Sequence, residues 1–325
     1  MKEFGDGTPL RFLTSFNKFI EKWMPLVTPS CLIVGILLAN QLEPLIGCVP
    51  WLFAFMTFSG SLSSGFRDIK QVALKPLPLL VCLFLLHVWM PILACGAGSL
   101  LFPSHPYLVT GIVLEFVVPT GIVSLIWVSI YRGNPALTLS IILVDTLVAP
   151  FLVPLSLKVL VGSNVQISVW GMMKDLLIMI AIPALLAMTC NQATKGGVKT
   201  TLAPKLAPFS KICLILVVTI NSTKVTPFVK HMNGILIGVA ATILVLAASG
   251  YVWGILAARL LKQDDKTLVS LMFNGGMRNI SAGAVIAGSF FPAEVMFPVM
   301  IGTLFQQILA GTYAHFLPRF QRKKQ

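Results

Sequence analysis

Phe273-Asn274-Gly275-Gly276-Met277-Arg278-Asn279 interrupts an apolar segment running from residue 265 to 291. Two glycines and an arginine near the centre of a membrane-length stretch carry a heavy penalty. A charge at bilayer depth costs about 2.5–3.5 kcal/mol on insertion scales, and each glycine weakens a helix by roughly 1 kcal/mol. Irregular backbone at that depth is tolerated only where protein or a water-filled cavity satisfies its polar groups. The break therefore reads as a substrate or ion site, and the chain as a carrier.

The rest of the chain supports a membrane setting. Of its 325 residues 56% are hydrophobic and only 11% charged, with mean hydropathy +0.89, against about 25% charged in soluble domains. A spanning helix needs about 20 mostly apolar residues. Ten segments qualify: 24–42, 48–65, 76–102, 107–130, 135–161, 168–189, 208–228, 234–260, 266–290 and 292–317. Residues 10–23 space apolar side chains at helical intervals and suit an interfacial helix leading into the first span.

A net charge of +13 raises the question of nucleic acid, but its distribution answers it. With the N-terminus inside, 19 of the 24 basic residues fall on the inner segments, Lys158, Lys174, Lys224 and Lys230 fall outside, and only Arg278 remains within a span. This positive-inside bias places both termini in the cytoplasm and favours an even number of spans. Six scattered cysteines form no Cys-x-x-Cys and read as small buried hydrophobes. No cofactor, metal centre or ATP-binding signature is expected.

Two interruptions sit at matching positions. Val118-Pro119-Thr120-Gly121 breaks span four and the Gly275–Asn279 stretch breaks span nine, the fourth span in each set of five. Five is odd, so the second set enters the membrane upside down relative to the first. Paired interrupted helices in inverted halves are the best sequence pointer to a carrier's binding site. New half-helix N-termini near Gly121 and Asn279 favour an anion, and the facing C-terminal carbonyls suit a cation. Each break also has a plainer reading: Pro119 as a kink, and Gly275-Gly276 as close helix packing.

Glu115 and Asp145 are the acids farthest from span ends. Either could pair with Arg278 and hold helices together, or could carry a proton. His87 reads as a packing residue. Asp264-Asp265 reads as a solvated helix cap. Asn221-Ser222-Thr223 and Asn279-Ile280-Ser281 match glycosylation sequons but lie in or at the edge of spans.

These motifs, together with Tyr131-Arg132-Gly133-Asn134-Pro135-Ala136-Leu137 and Ala149-Pro150-Phe151-Leu152-Val153-Pro154, resemble the bile acid:sodium symporter superfamily over essentially the whole chain. The resemblance implies an all-α polytopic fold of ten transmembrane helices in two inverted five-helix repeats. An N-terminal segment (1–23) precedes the repeats (24–161 and 162–318), and a basic cytoplasmic tail (319–325) follows. Spans 1, 2, 6 and 7 would form a panel, and spans 3–5 and 8–10 a core in which broken helices four and nine cross. It implies a multi-pass protein of the plasma or inner membrane that moves organic anions with a coupling ion, expected here as a monomer that binds no nucleic acid.

The departures fall on the ion ligands. Sodium-coupled members resembling this layout use a Ser-Asn pair past the helix-four break, here Ser124 and Leu125. They use two hydroxyls in helix five, here Thr138 and Ile142, and an acid before the Gly-Met pair, here Asn274. The glutamine that follows their methionine, here Met277, is here Arg278. The expectation is that Arg278 stands in for a bound cation and grips a substrate carboxylate, with Thr120, Gly121, Asn279, Gln306 and Gln307 as further substrate contacts. Coupling then passes to protons through Glu115 or Asp145, or is absent. The alternative retains sodium and a bile-acid-type anion.

Overall fold

The computed structural model describes residues 8–65, 76–163 and 165–321. Lys2, Arg67, Lys70, Lys75, Arg322, Lys323 and Lys324, counted above on the inner side, lie outside the described residues, as do parts of the expected N-terminal segment and basic tail.

The described chain is helical throughout. The principal elements are α1 (Thr8–Leu37), α2 (Val49–Ser61), α3 (Leu77–Leu101), α4 (Pro106–Val117), α5 (Val123–Ile130), α6 (Pro135–Val161), α7 (Val169–Ala193), α8 (Ala203–Ser222), α9 (Gly234–Leu260), α10 (Asp265–Gly276), α11 (Ile280–Phe290) and α12 (Ala293–Phe320). The expected interfacial helix and first span are one continuous helix, α1. Seven helical segments among the described residues are long and apolar enough to cross a membrane, and Leu26–Leu37 and Pro106–Val117 are shorter apolar helices. Large apolar side chains such as Leu100, Val159, Trp170 and Leu260 face outward. An outer surface of this kind belongs in lipid, and the protein is a multi-pass membrane protein.

α1 and α2 both pack on α8, and α7 packs on α2. In a second group α3 and α12 pack on α4, α9 packs on α10 and α12, and α6 touches α4, α5 and α10. Within α3 and α7 the turns Leu85–Trp89 and Leu177–Ala181 are π-helical. Each precedes a proline, Pro91 or Pro183, that cannot donate a backbone hydrogen bond and crowds the carbonyl four residues earlier.

The interruption between α4 and α5 follows from Pro119. The residue before a proline is pushed out of the helical region, and Val118 is extended at φ −63°, ψ 149°. The second interruption is shorter than expected. α10 runs through both Gly275 and Gly276, and the break begins at Met277, which is extended at φ −106°, ψ 139°. The two glycines are therefore not break residues. They are small because α9 lies against them: a Cβ on Gly250 would stand 2.6 Å from the Gly275 carbonyl oxygen, and one on Gly276 would enter the Tyr251 ring. The small-residue packing reading holds for this pair.

Asp264 caps α10, its Oδ1 accepting from the Thr267 N–H at 2.8 Å. Asp264→Ala should cost about 1 kcal/mol, read as a lower melting temperature. An unchanged melting curve would show the cap to be energetically silent.

Candidate substrate and ion site

The two interruptions meet. The Asn279 N–H donates to the Pro119 carbonyl at 2.8 Å, and Gly121 faces the Arg278 carbonyl, from which a Cβ would stand 2.9 Å away. Backbone groups freed by the breaks find partners from elsewhere in the chain. The Thr120 N–H donates to Asp145 Oδ2 at 2.7 Å, and the Arg278 N–H to Gln306 Oε1 at 2.8 Å. Thr120 Oγ1 donates to the Asn274 and Met277 carbonyls at 3.2 and 3.1 Å. Asn279 Oδ1 caps α11 by accepting from the Ala282 N–H at 3.2 Å. Partners of this kind are what let irregular backbone persist at membrane depth.

Arg278 is 3% exposed. Its Nη1 donates to the Gly275 and Met277 carbonyls at 3.0 and 3.3 Å, so the guanidinium occupies the cationic position at the end of α10. Its Nε and Nη2 are shielded from solvent and have no partner among the described residues. These two nitrogens form one edge of the planar group, the fork that binds a carboxylate in bidentate fashion. The Phe116 ring lies 5.9 Å from Cζ.

No ion pair joins Arg278 to either acid among the described residues. Asp145 is fully buried and committed elsewhere: Oδ1 lies 2.5 Å from His87 Nε2 and Oδ2 accepts from Thr120. Glu115, 3% exposed, leaves Oε2 without a partner among the described residues and packs where Gly302 has no side chain.

The positions matching sodium ligands are bonded to one another. Ser124 Oγ donates to Asn274 Oδ1 at 3.1 Å, and Asn274 Nδ2 donates to Thr138 Oγ1 at 3.1 Å and the Ser270 carbonyl at 2.8 Å. An amide nitrogen therefore faces the Thr138 hydroxyl, where a cation would need oxygen. Met277 contributes its carbonyl, already shared by Thr120 and Arg278.

A cavity of about 420 Å³ opens beside the crossing and is lined by Pro119, Thr120, Gly121, Arg278, Asn279, Gln306 and Gln307. That volume suits a small organic ligand. Gln307 is held by Trp127, whose Nε1 donates to its Oε1 at 3.1 Å. Hydroxyls of Thr28, Ser59, Ser63 and Ser210 line other walls, and among the described residues Lys211 is the second cationic lining residue and no acid lines the cavity.

All six expected substrate contacts thus line one cavity. Ser124, Thr138 and Asn274 bond to one another, Met277 joins them only through Thr120, and neither Glu115 nor Asp145 forms an ion pair with Arg278 among the described residues. The sequence reading passed over two residues. Lys211 was counted as an inner-side charge, although it falls three residues inside the expected seventh span. His87 was taken as packing, although Pro91 four residues later signals a disturbed turn at that position.

The family model described as Sodium Bile acid symporter family matches residues 50–231. The uncharacterized protein YbaS of Bacillus subtilis (strain 168) is 47% identical over 300 residues, covering 92% of this chain and 98% of its own. The uncharacterized sodium-dependent transporter YocS of the same organism is 23% identical over 285 residues, 85% of this chain and 86% of its own. The probable sodium/metabolite cotransporter BASS1, chloroplastic, of Oryza sativa subsp. japonica is 28% identical over 225 residues, 69% of this chain and 54% of its own.

Proposed function

The chain belongs to the sodium bile acid symporter family, and on that premise we propose that this secondary transporter carries a small organic anion without sodium. The substrate is a carboxylate such as a keto acid or a pantothenate precursor, moved by alternating access. The observation that carries this reading is a buried arginine in the wall of a cavity that no described acid lines, with its Nε and Nη2 unpaired among the described residues. An amide-lined cavity of this size suits a small polar anion better than a steroid.

In this reading the chain forms ten spans in two inverted repeats, 24–161 and 162–318, with cytoplasmic termini in a plasma or inner membrane. α1, α2, α7 and α8 make the panel, and the remaining helices the core. Gly275 and Met277 offer Arg278 the carbonyls a coupling cation would otherwise take. Ser124, Thr138 and Asn274 satisfy one another, and Leu125 and Ile142 bring no oxygen. This set does not fit sodium. The sodium dependence in the printed name of YocS favours the alternative, a sodium-coupled anion symporter.

Thermal stabilisation of the purified protein by pyruvate, 2-oxoisovalerate and pantoate, in sodium or in choline, separates the two. A ligand at a hundred times its dissociation constant adds about 2.7 kcal/mol. The expected result is a rise in melting temperature that persists in choline. Stabilisation confined to sodium would establish the alternative. No stabilisation by any of the three in either salt would overturn the proposed substrate class.

A further inference from the structure

His87 and Asp145 form a buried dyad that the anion site alone does not require. Pro91 has no N–H for the His87 carbonyl and crowds it, and the helix opens into the π turn Leu85–Trp89. π turns are frequent at functional sites. An ionised carboxylate can only accept, which assigns His87 Nε2–H as the donor to Asp145 Oδ1 at 2.5 Å, while His87 Nδ1 is buried with no partner among the described residues. A neutral imidazole whose Nε2 carries the hydrogen presents a bare lone pair at Nδ1. That nitrogen can take up a proton without breaking any bond seen here.

The dyad is wired to the anion site by four consecutive hydrogen bonds. His87 donates to Asp145 Oδ1, and Asp145 Oδ2 accepts from the Thr120 N–H at 2.7 Å. Thr120 Oγ1 donates to the Met277 carbonyl at 3.1 Å, and that carbonyl also accepts from Arg278 Nη1 at 3.3 Å. The run passes through both helix interruptions.

We propose that the His87–Asp145 dyad is the proton site of this carrier, loaded in step with the anion held by Arg278. The proposal rests on the organic-anion reading above. The proton adds to His87 Nδ1 from one aqueous face, giving an imidazolium beside the carboxylate, and leaves to the other face. Charge makes the two bindings mutually favourable. The unprotonated dyad and Arg278 sum to zero, a bound carboxylate brings the sum to minus one, and a proton restores it. In a low-dielectric interior such compensation is strong, and by linkage each ligand then tightens the other. The other titratable groups facing this centre are Cys82 from α3, Glu115 from α4 and Tyr251 from α9.

The test measures proton uptake directly on the full-length protein in weakly buffered detergent solution. Addition of pyruvate, or of whichever carboxylate stabilises the protein, should raise the solution pH by uptake of at most about one proton per chain. His87→Gln and Asp145→Asn should still bind the anion but lose the uptake. Glu115→Gln should keep it. In parallel, ¹⁵N-histidine labelling reports the ring directly, with the His87 signals identified by their disappearance in His87→Gln. Its Nδ1 signal and, in a ¹⁵N-threonine-labelled sample, the Thr120 amide should move together on acidification, and the Thr120 response should vanish in Asp145→Asn. Because this readout needs no substrate, it decides the proton site even if no carboxylate binds, an outcome that would defeat only the organic-anion reading. A His87 ring that stays in one protonation state across the pH range where the protein is folded would overturn the proposal. So would undiminished proton uptake in His87→Gln.

Discussion

Arg278→Gln should abolish the stabilisation of this protein by carboxylates, weakening their binding more than about a hundredfold. A hydrogen bond to a charged group is worth about 1.5–3 kcal/mol, and each 1.4 kcal/mol is a factor of about ten. The free edge offers two such bonds, from Nε and Nη2. Glutamine keeps a polar head but loses the charge and the fork. Arg278→Lys keeps the charge alone and should fall between the two. The comparison is made as the ligand-induced shift within each variant. Removing the guanidinium also leaves the Gly275 carbonyl unpaired and the Met277 carbonyl to Thr120 alone and relieves a buried charge, so the melting temperatures without ligand move for separate reasons. A second effect follows from the same geometry. The two released carbonyls and a glutamine amide oxygen form an oxygen cluster, so the variant should gain weak stabilisation by sodium. Carboxylate affinity equal to that of the unaltered protein would remove Arg278 from the substrate site.

The position of this arginine was legible in the sequence because its cost is large and local. No interface lay within reach, so only a site or a pair could retain it. The same reasoning placed both new helix N-termini to within about two residues, at Val123 and Ile280, because Pro119 disrupts helix by its own chemistry and Asn279 caps the helix that follows it. It misplaced the start of the second break. Glycines in a membrane helix signal either irregular backbone or a close neighbour, and only the approach of Gly250 and Gly254 to α10 decides for the neighbour. Partner choice among the buried charges was not legible at all. Asp145 and Arg278 look like a pair by sign. The choice of His87 falls on a residue within the π turn Leu85–Trp89, a local change of helix that no periodicity encodes. Lys211 was hidden for a different reason. A lysine at a span end reads as an orientation signal whether or not its helix borders a cavity.

Gly121→Val should eliminate carboxylate binding while leaving the protein folded. A Cβ at this position meets the Arg278 carbonyl oxygen at 2.9 Å, its carbon at 3.3 Å and the Asn279 nitrogen at 3.6 Å. All three are backbone atoms and cannot rotate away as a side-chain tip would, so the two interruptions must separate. Overpacking of this kind costs about 1–3 kcal/mol, which a membrane bundle survives. The separation itself is the damaging part. It stretches the 2.8 Å bond from the Asn279 N–H to the Pro119 carbonyl and moves Arg278 away from Thr120. The substrate contacts on the two breaks would then no longer converge on one ligand. Displacements near 1 Å at a preorganised site are enough to destroy its function. Gly121→Ala, with a single added carbon, should weaken binding by a smaller factor. Gly96→Ala supplies the control, because nothing lies within 4 Å of a Cβ there, and alanine in a helix should stabilise by roughly 0.5–1 kcal/mol with binding intact. If Gly121→Val bound carboxylates as the unaltered protein does, the crossing of the two broken helices would not be where the anion sits. The cavity would then have to be read from Lys211 and the hydroxyl walls of α1, α2 and α8 instead.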